Sequence, residues 1–273
     1  MPLTELFLSP DRFVLFVLVL TRISGVVMVA PVLGTRAAPP AVRVALAMGL
    51  TLLILPSQLE VSIQAPTTMA GLLVVMLGEA IVGLSIGLGI MILFSGIHLA
   101  GNIIGQMSGA QVADIFDPTF NQSVPIYAQL FDVIAMAVFV IIGGHREVID
   151  ALLATFQHMP LGGGGFNAGI ADALVNVVTL SFSTGIRAAA PAMVALLLAV
   201  LILSLLTRTL PQLNIFAVGF NVYAMVAMSI VSLTLGGIIW AFQDEVTPAL
   251  DMIQSALYST AHNNPSPIPT IPN

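Results

Sequence analysis

Two charged residues, Arg22 and Glu79, lie inside long apolar runs of the sequence. A charge near the middle of a bilayer costs roughly 2.5 to 3.5 kcal/mol on insertion scales, so each side chain needs a partner or water. We predict that these intramembrane charges have a defined role, and pairing with each other is one way to satisfy both. The pattern favours a structural ion pair and a functional one equally.

Three more charged residues, Asp132, Asp172 and Arg187, lie in or near apolar runs. Acidic and basic residues in membrane helices can form the proton relay of a pump. Here their spacing does not place them regularly on one helix face. The spacing therefore favours isolated structural roles over a relay.

The sequence shows no pattern for catalysis, metal binding or cofactor binding. The histidines are widely separated, without a paired-ligand spacing: His98, His145, His158 and His262. There is no cysteine, which excludes a thiolate nucleophile or ligand. No Gly-x-Ser-x-Gly motif occurs, and the glycine run 162–165 lacks the Lys-Ser/Thr of a phosphate-binding loop. We predict no enzyme activity, no metal and no cofactor.

The composition is that of a membrane protein. Hydrophobic residues make up 58% of the chain and charged residues 7%, whereas about a quarter of the residues in a soluble domain are charged. The formal net charge of -6 and the absence of a Lys/Arg cluster exclude a nucleic-acid-binding surface. Membrane lipid or a large apolar partner must therefore surround the apolar segments.

Six apolar runs predict an all-α, polytopic membrane protein of about six helical spans: residues 13–33, 42–55, 69–99, 124–142, 170–206 and 215–242. The second run is short for a hydrocarbon core of roughly 30 Å, and the third and fifth are longer than one crossing needs. Pro191 predicts a kink or break in the fifth run. We predict one membrane domain, residues 1–245, and a C-terminal extension, residues 246–273, that ends in a disordered proline-rich tail.

Glycine spacing predicts where helices pack closely. Gly83 and Gly87 are four residues apart, and Gly101, Gly105 and Gly109 repeat the same spacing. Small residues at this interval let helix backbones approach one another in a membrane. Ordinary helix packing is the simpler interpretation, and pore-side backbone is the alternative for the second group.

Four stretches resemble the FliR family of the flagellar type III protein export gate, and they occur in that family's order. They are Ala30-Pro31-Val32-Leu33-Gly34-Thr35-Arg36 with Val42-Arg43 behind it, Gly78-Glu79-Ala80 with Gly83 and Gly87, Ala100-Gly101 through Gln106 to Asp117-Pro118, and Arg208-Thr209-Leu210-Pro211-Gln212-Leu213-Asn214-Ile215-Phe216. The last stretch is the most specific, because a polar turn of this kind between two long apolar runs is unusual. The resemblance covers residues 10–245.

The resemblance implies a structural channel subunit of the flagellar export apparatus, built from bent helical hairpins in the bacterial inner membrane. Its partners would be FliP-like and FliQ-like subunits in a hetero-oligomeric pore and an FlhB-like subunit at the base. Unfolded export substrates would pass through the pore. The alternatives are the equivalent subunit of a virulence injectisome and a small-solute secondary transporter.

The resemblance also assigns two segments. Residues 105–120 look like a contribution to the plug that closes the pore, with Phe116 as its apolar stopper, since a bulky ring in a narrow pore excludes water and ions. The candidate plug residues are Gly105, Gln106, Gly109, Phe116, Asp117, Pro118 and Phe120. Residues 207–216 resemble a cytoplasmic gate turn, with Arg208, Pro211, Gln212, Asn214 and Phe216 as its candidate residues.

Overall fold

The computed structural model describes residues 10–31, 39–59, 68–109, 126–163, 168–209 and 215–263, except for the side chains of residues 10, 215–218, 220 and 260–263. Within these ranges the secondary structure is helical, and no strand occurs. The helices are α1 (Pro10–Val29), α2 (Pro40–Gln58), α3 (Met69–Met107), α4 (Ile126–Ile141), α5 (Gly144–His158), α6 (Ala168–Thr209) and α7 (Ile215–Asn263).

Five of the described helices, α1, α2, α3, α6 and α7, are long and apolar enough to cross a membrane. The number rises to six when α4 and α5 are taken as one broken span. The break between them lies at Gly143, whose φ of 82° is in the left-handed region that favours glycine. The prediction of an all-α, polytopic membrane protein with about six spans is confirmed.

Helix α5 was not among the predicted helices, because its residues lie between the fourth and fifth apolar runs. Its 15 residues form an amphipathic helix with one buried stripe, made of Val148, Ala151, Leu152, Thr155 and Phe156. The polar residues between them interrupt any apolar run. A search for long apolar segments therefore overlooks a helix whose apolar residues recur every three or four positions.

Two more observations concern the long helices. Helix α6 continues as one helix through Pro191, so the chain is not broken there. Helix α7 extends to Asn263, beyond the end of the sixth apolar run at Phe242. The boundary expected at residue 245 therefore falls inside a helix, and the division into a membrane domain and an extension stays a prediction. Residues 264–273, the proline-rich tail, lie outside the described residues.

The chain divides into two compact units. The first unit comprises residues 1–91, 143–177 and 247–273, and the second comprises residues 92–142 and 178–246. The core of the first unit includes Leu18, Ile23, Val82, Ile86, Leu152 and Leu257. The core of the second unit includes Ala128, Phe131, Leu196 and Ala227, together with a cluster of Phe94, Phe139 and Phe242.

Candidate functional site

In the first unit, α1 and α3 place Arg22 and Glu79 side by side. The Nε of Arg22 lies 2.5 Å from Oε2 of Glu79, and both side chains are fully buried. The structure thus joins two residues that belong to different apolar runs of the sequence. Removing two charges from water costs several kcal/mol per ion, and mutual attraction offsets this only when the remaining polar atoms are bonded as well.

The rest of the Arg22 guanidinium contacts the C-terminal end of α5. Nη1 lies 3.1 Å from the carbonyl oxygen of Thr155 and 3.3 Å from that of Met159. The last carbonyls of a helix lack partners within the helix and form the negative end of its dipole, so a cation is favourable there. The guanidinium carbon also lies 4.6 Å from the centre of the Phe156 ring, which adds a cation–π contact.

Glu79 binds the other side of the same turn. The backbone N–H of Gly162 donates a hydrogen bond of 2.8 Å to Oε1 of Glu79. Gly162 has a φ of 90°, a conformation that other residues adopt only with strain. Arg22 and Glu79 together therefore fix the turn between Met159 and Gly162. Among the described residues, Nη2 of Arg22 has no hydrogen-bond partner.

Close packing of α1 on α3 makes this arrangement possible. A Cβ added to Gly83 would overlap the carbonyl oxygen of Arg22, and one added to Gly87 would lie 3.2 Å from the carbonyl oxygen of Val26. In the second unit, Gly101 of α3 lies in the same way against the backbone of Ala128. Gly83, Gly87 and Gly101 therefore lie where two helices touch, whereas no described atom lies within 4 Å of a Cβ added to Gly109.

The structure describes only part of the predicted plug. Gly105 is buried and Gln106 exposed near the end of α3, and Gly109 follows the helix with a φ of 69°. A left-handed glycine just after a helix is a common way to end it. Phe116, Asp117, Pro118 and Phe120 lie outside the described residues.

The gate turn is described only at its ends. Arg208 lies in the last turn of α6. Phe216 belongs to the first turn of α7, although its side chain is outside the described set. Pro211, Gln212 and Asn214 fall in the undescribed stretch between these helices.

The second unit holds a contact between a histidine and an aspartate that the sequence did not predict. Nδ1 of His98 lies 2.8 Å from Oδ2 of Asp132, and the two side chains are 42% and 45% exposed. Asp172 and Arg187 are both exposed, and neither forms a salt bridge with another described residue. Within the described ranges, no three histidine or acidic side chains come together as a metal site would require.

These observations define a class of protein. It is an all-helical, polytopic membrane protein in which the buried charges of the first unit connect helices instead of lining a cleft. Residues 13–249 match the family model of the bacterial export proteins, family 1. The chain belongs to this family.

Individual relatives agree with the family. The flagellar biosynthetic protein FliR of Escherichia coli (strain K12) is 32% identical over 213 residues, which cover 78% of this chain and 81% of that protein. FliR of Pectobacterium carotovorum subsp. carotovorum is 30% identical over 214 residues, with the same coverage of 78% and 81%. The surface presentation of antigens protein SpaR of Shigella sonnei is 27% identical over 157 residues, or 57% of this chain and 60% of SpaR. The resemblance to the FliR family is confirmed.

Proposed function

We propose that this chain is a structural channel subunit of the flagellar type III protein export apparatus in the bacterial inner membrane. The match of residues 13–249 to the export family, together with flagellar relatives that align over four-fifths of their length, carries this conclusion. In this role the chain helps to pass unfolded flagellar proteins across the membrane. It performs no covalent chemistry itself.

The geometry of the buried charges supports a structural role. Arg22 and Glu79 bond to each other, and their other hydrogen bonds go to the C-terminal end of α5 and the turn after it: backbone groups of Thr155, Met159 and Gly162, and the Thr155 hydroxyl. A catalytic or transporting charge must keep an atom accessible to its substrate, whereas both of these side chains are fully buried. Their role is to position helices α1, α3 and α5 in the first unit.

We also propose that residues 105–120 contribute to the plug of the pore. The left-handed turn at Gly109 supports this, because it lies at the C-terminal end of α3, where the proposed plug segment leaves the helix. Phe116 would then be the apolar stopper. Residues 207–216, which join α6 to α7, form the proposed cytoplasmic gate turn.

The proposed partners are FliP-like and FliQ-like subunits of the pore and an FlhB-like subunit at its base. Deleting the gene should abolish flagella and leave growth intact, and a plasmid copy should restore motility. An affinity-tagged chain, purified in mild detergent, should bring these subunits with it. A deletion strain with normal filaments would refute the flagellar role.

A virulence injectisome subunit is the second candidate, and the similarity to SpaR favours it. That match covers 60% of SpaR, against 81% of the Escherichia coli flagellar relative. Neighbouring genes separate the two functions, since hook and rod genes indicate a flagellum whereas needle and translocon genes indicate an injectisome.

A further inference from the structure

A shallow, open and largely apolar surface lies on the exposed face of α4, with Asp132 at its edge, and we call it the α4 groove. It is formed by residues of this one helix: Asp132, Val133, Met136, Ala137, Val140 and Ile141. Val133 is 63% exposed. Exposed Ile126, Val133 and Val140 are seven residues apart, which places them on one face over almost the whole helix. The groove is therefore continuous with an apolar stripe about as long as α4.

The pair at the edge of the groove has an unused acceptor atom. Oδ2 of Asp132 lies 2.8 Å from Nδ1 of His98, and no described residue donates a hydrogen bond to Oδ1 of Asp132. A carboxylate oxygen accepts hydrogen bonds, so Oδ1 is open to a donor from outside the pair.

The described part of the second unit does not supply this donor. Its other charged side chains are Arg187, Arg208, Asp244 and Glu245. Glu245 accepts a hydrogen bond of 2.9 Å from the Thr184 hydroxyl, and no described cation forms a salt bridge with Asp132. A half-exposed carboxylate beside hydrocarbon is unfavourable, so the assembled protein needs a group that covers it.

We propose that the α4 groove receives an apolar membrane helix of another subunit of the export gate, and that an Arg or Lys of this helix bonds to Asp132 beside His98. The stripe provides the apolar contact, and the negative charge selects a cationic side chain. The inference rests on the proposed function, because it takes the partner from the same gate. Lipid, an export substrate or a second copy of this chain are the other occupants that the test must detect.

The absence of cysteine allows a clean test, since one introduced cysteine is the only thiol in the chain. We would attach a photo-cross-linker to Val133→Cys in cells that carry the whole gate, and use Leu201→Cys, at a position that is 60% exposed in the same unit, as the control. Val133→Cys should cross-link to a membrane helix of one gate subunit, next to an Arg or Lys. Leu201→Cys should not reach that position of the helix.

The dependence on charge is tested with Asp132→Leu. This change should lower the cross-link yield roughly three- to tenfold, as expected for one interhelical polar contact in a membrane. Asp172→Leu, which removes an exposed acid of the first unit, should leave the yield unchanged. If Asp132→Leu lowers the amount of folded protein, the reciprocal exchange is decisive: Asp132→Lys with an acid in place of the partner's cation should restore the cross-link.

The inference would be overturned if Val133→Cys cross-linked only to lipid, to an export substrate or to a second copy of this chain. It would also be overturned if Asp132→Leu left the cross-link yield to the gate subunit unchanged. Motility is scored in the same strain with the unmodified chain. If the unmodified chain fails to restore motility, the proposed function is wrong. If it restores motility and Val133→Cys reaches no gate subunit, only the α4 interface is wrong.

Discussion

Gly83 lies directly against the backbone carbonyl of Arg22, with no room for a side chain between them. Glu79 is four residues before Gly83 and therefore lies one turn away on the same face of α3. The close approach of the two backbones at Gly83 thus brings the Glu79 carboxylate within reach of the Arg22 guanidinium. Helix packing and charge pairing in the first unit depend on the same contact.

Gly83→Ala should separate α1 from α3, because the new Cβ would overlap the Arg22 carbonyl. We expect a loss of about 1–3 kcal/mol in the free energy of unfolding, typical of overpacking, measured by denaturation in detergent. Gly49→Ala in α2 is the matched control, since nothing lies within 4 Å of its Cβ position. Equal stability of the two variants would contradict the proposed contact.

Arg22→Ala and Glu79→Ala should each destabilise the chain by roughly 3–5 kcal/mol, because each leaves an uncompensated buried charge. The double variant Arg22→Met/Glu79→Leu removes both charges and should recover most of this loss. Melting temperatures in one detergent would compare the three variants. If the double variant is less stable than both single variants, the Arg22–Glu79 pair contributes more to stability than the cancellation of two buried charges.

Phe94→Ala should destabilise the second unit by about 3–5 kcal/mol, as expected for removing a buried ring. The Phe94 ring packs edge-on against Phe139 at 5.4 Å and against Phe242 at 5.2 Å. Phe182→Ala is the control, since Phe182 is 55% exposed in the isolated chain. A similar effect of both changes on unfolding would show that the three-ring cluster is not a core of this unit.

Phe116→Ala should make the assembled pore leak ions, because the variant lacks the ring proposed to fill the constriction. Conductance of the complex reconstituted in a planar bilayer would measure this. The variant complex must first show the size and subunit composition of the unmodified one, so that leakage is not due to failed assembly. Unchanged conductance would argue against Phe116 as the stopper.

The sequence predicted the helical class and the approximate number of spans because long apolar runs directly report burial in a membrane. It also showed that Arg22 and Glu79 need partners. It could not identify the contact, since the two residues are 57 positions apart. Contacts between residues that are far apart in the chain decide which helices are neighbours. A single sequence does not show these contacts directly.

Sequence reasoning missed the third participant of the site, the turn after α5. Arg22 bonds there to the carbonyl oxygens of Thr155 and Met159 and to the Thr155 hydroxyl. Every residue has a backbone carbonyl, so residue types gave little indication of this contact. The three- and four-residue spacing of Val148, Ala151 and Leu152 was the available sign of a helix. His98 and Asp132 were each noted, but their pairing depends on the packing of α3 and α4.

The order of synthesis gives the Arg22 contacts a further consequence. The ribosome makes α1 first, while Glu79 follows 57 residues later and Met159 follows 137 residues later. When α1 is inserted, Arg22 is therefore a charged side chain whose final hydrogen-bond acceptors have not yet been synthesised. The insertion machinery, lipid headgroups or water must solvate it until then. Biogenesis of this chain is consequently most vulnerable between the emergence of its first and third helices.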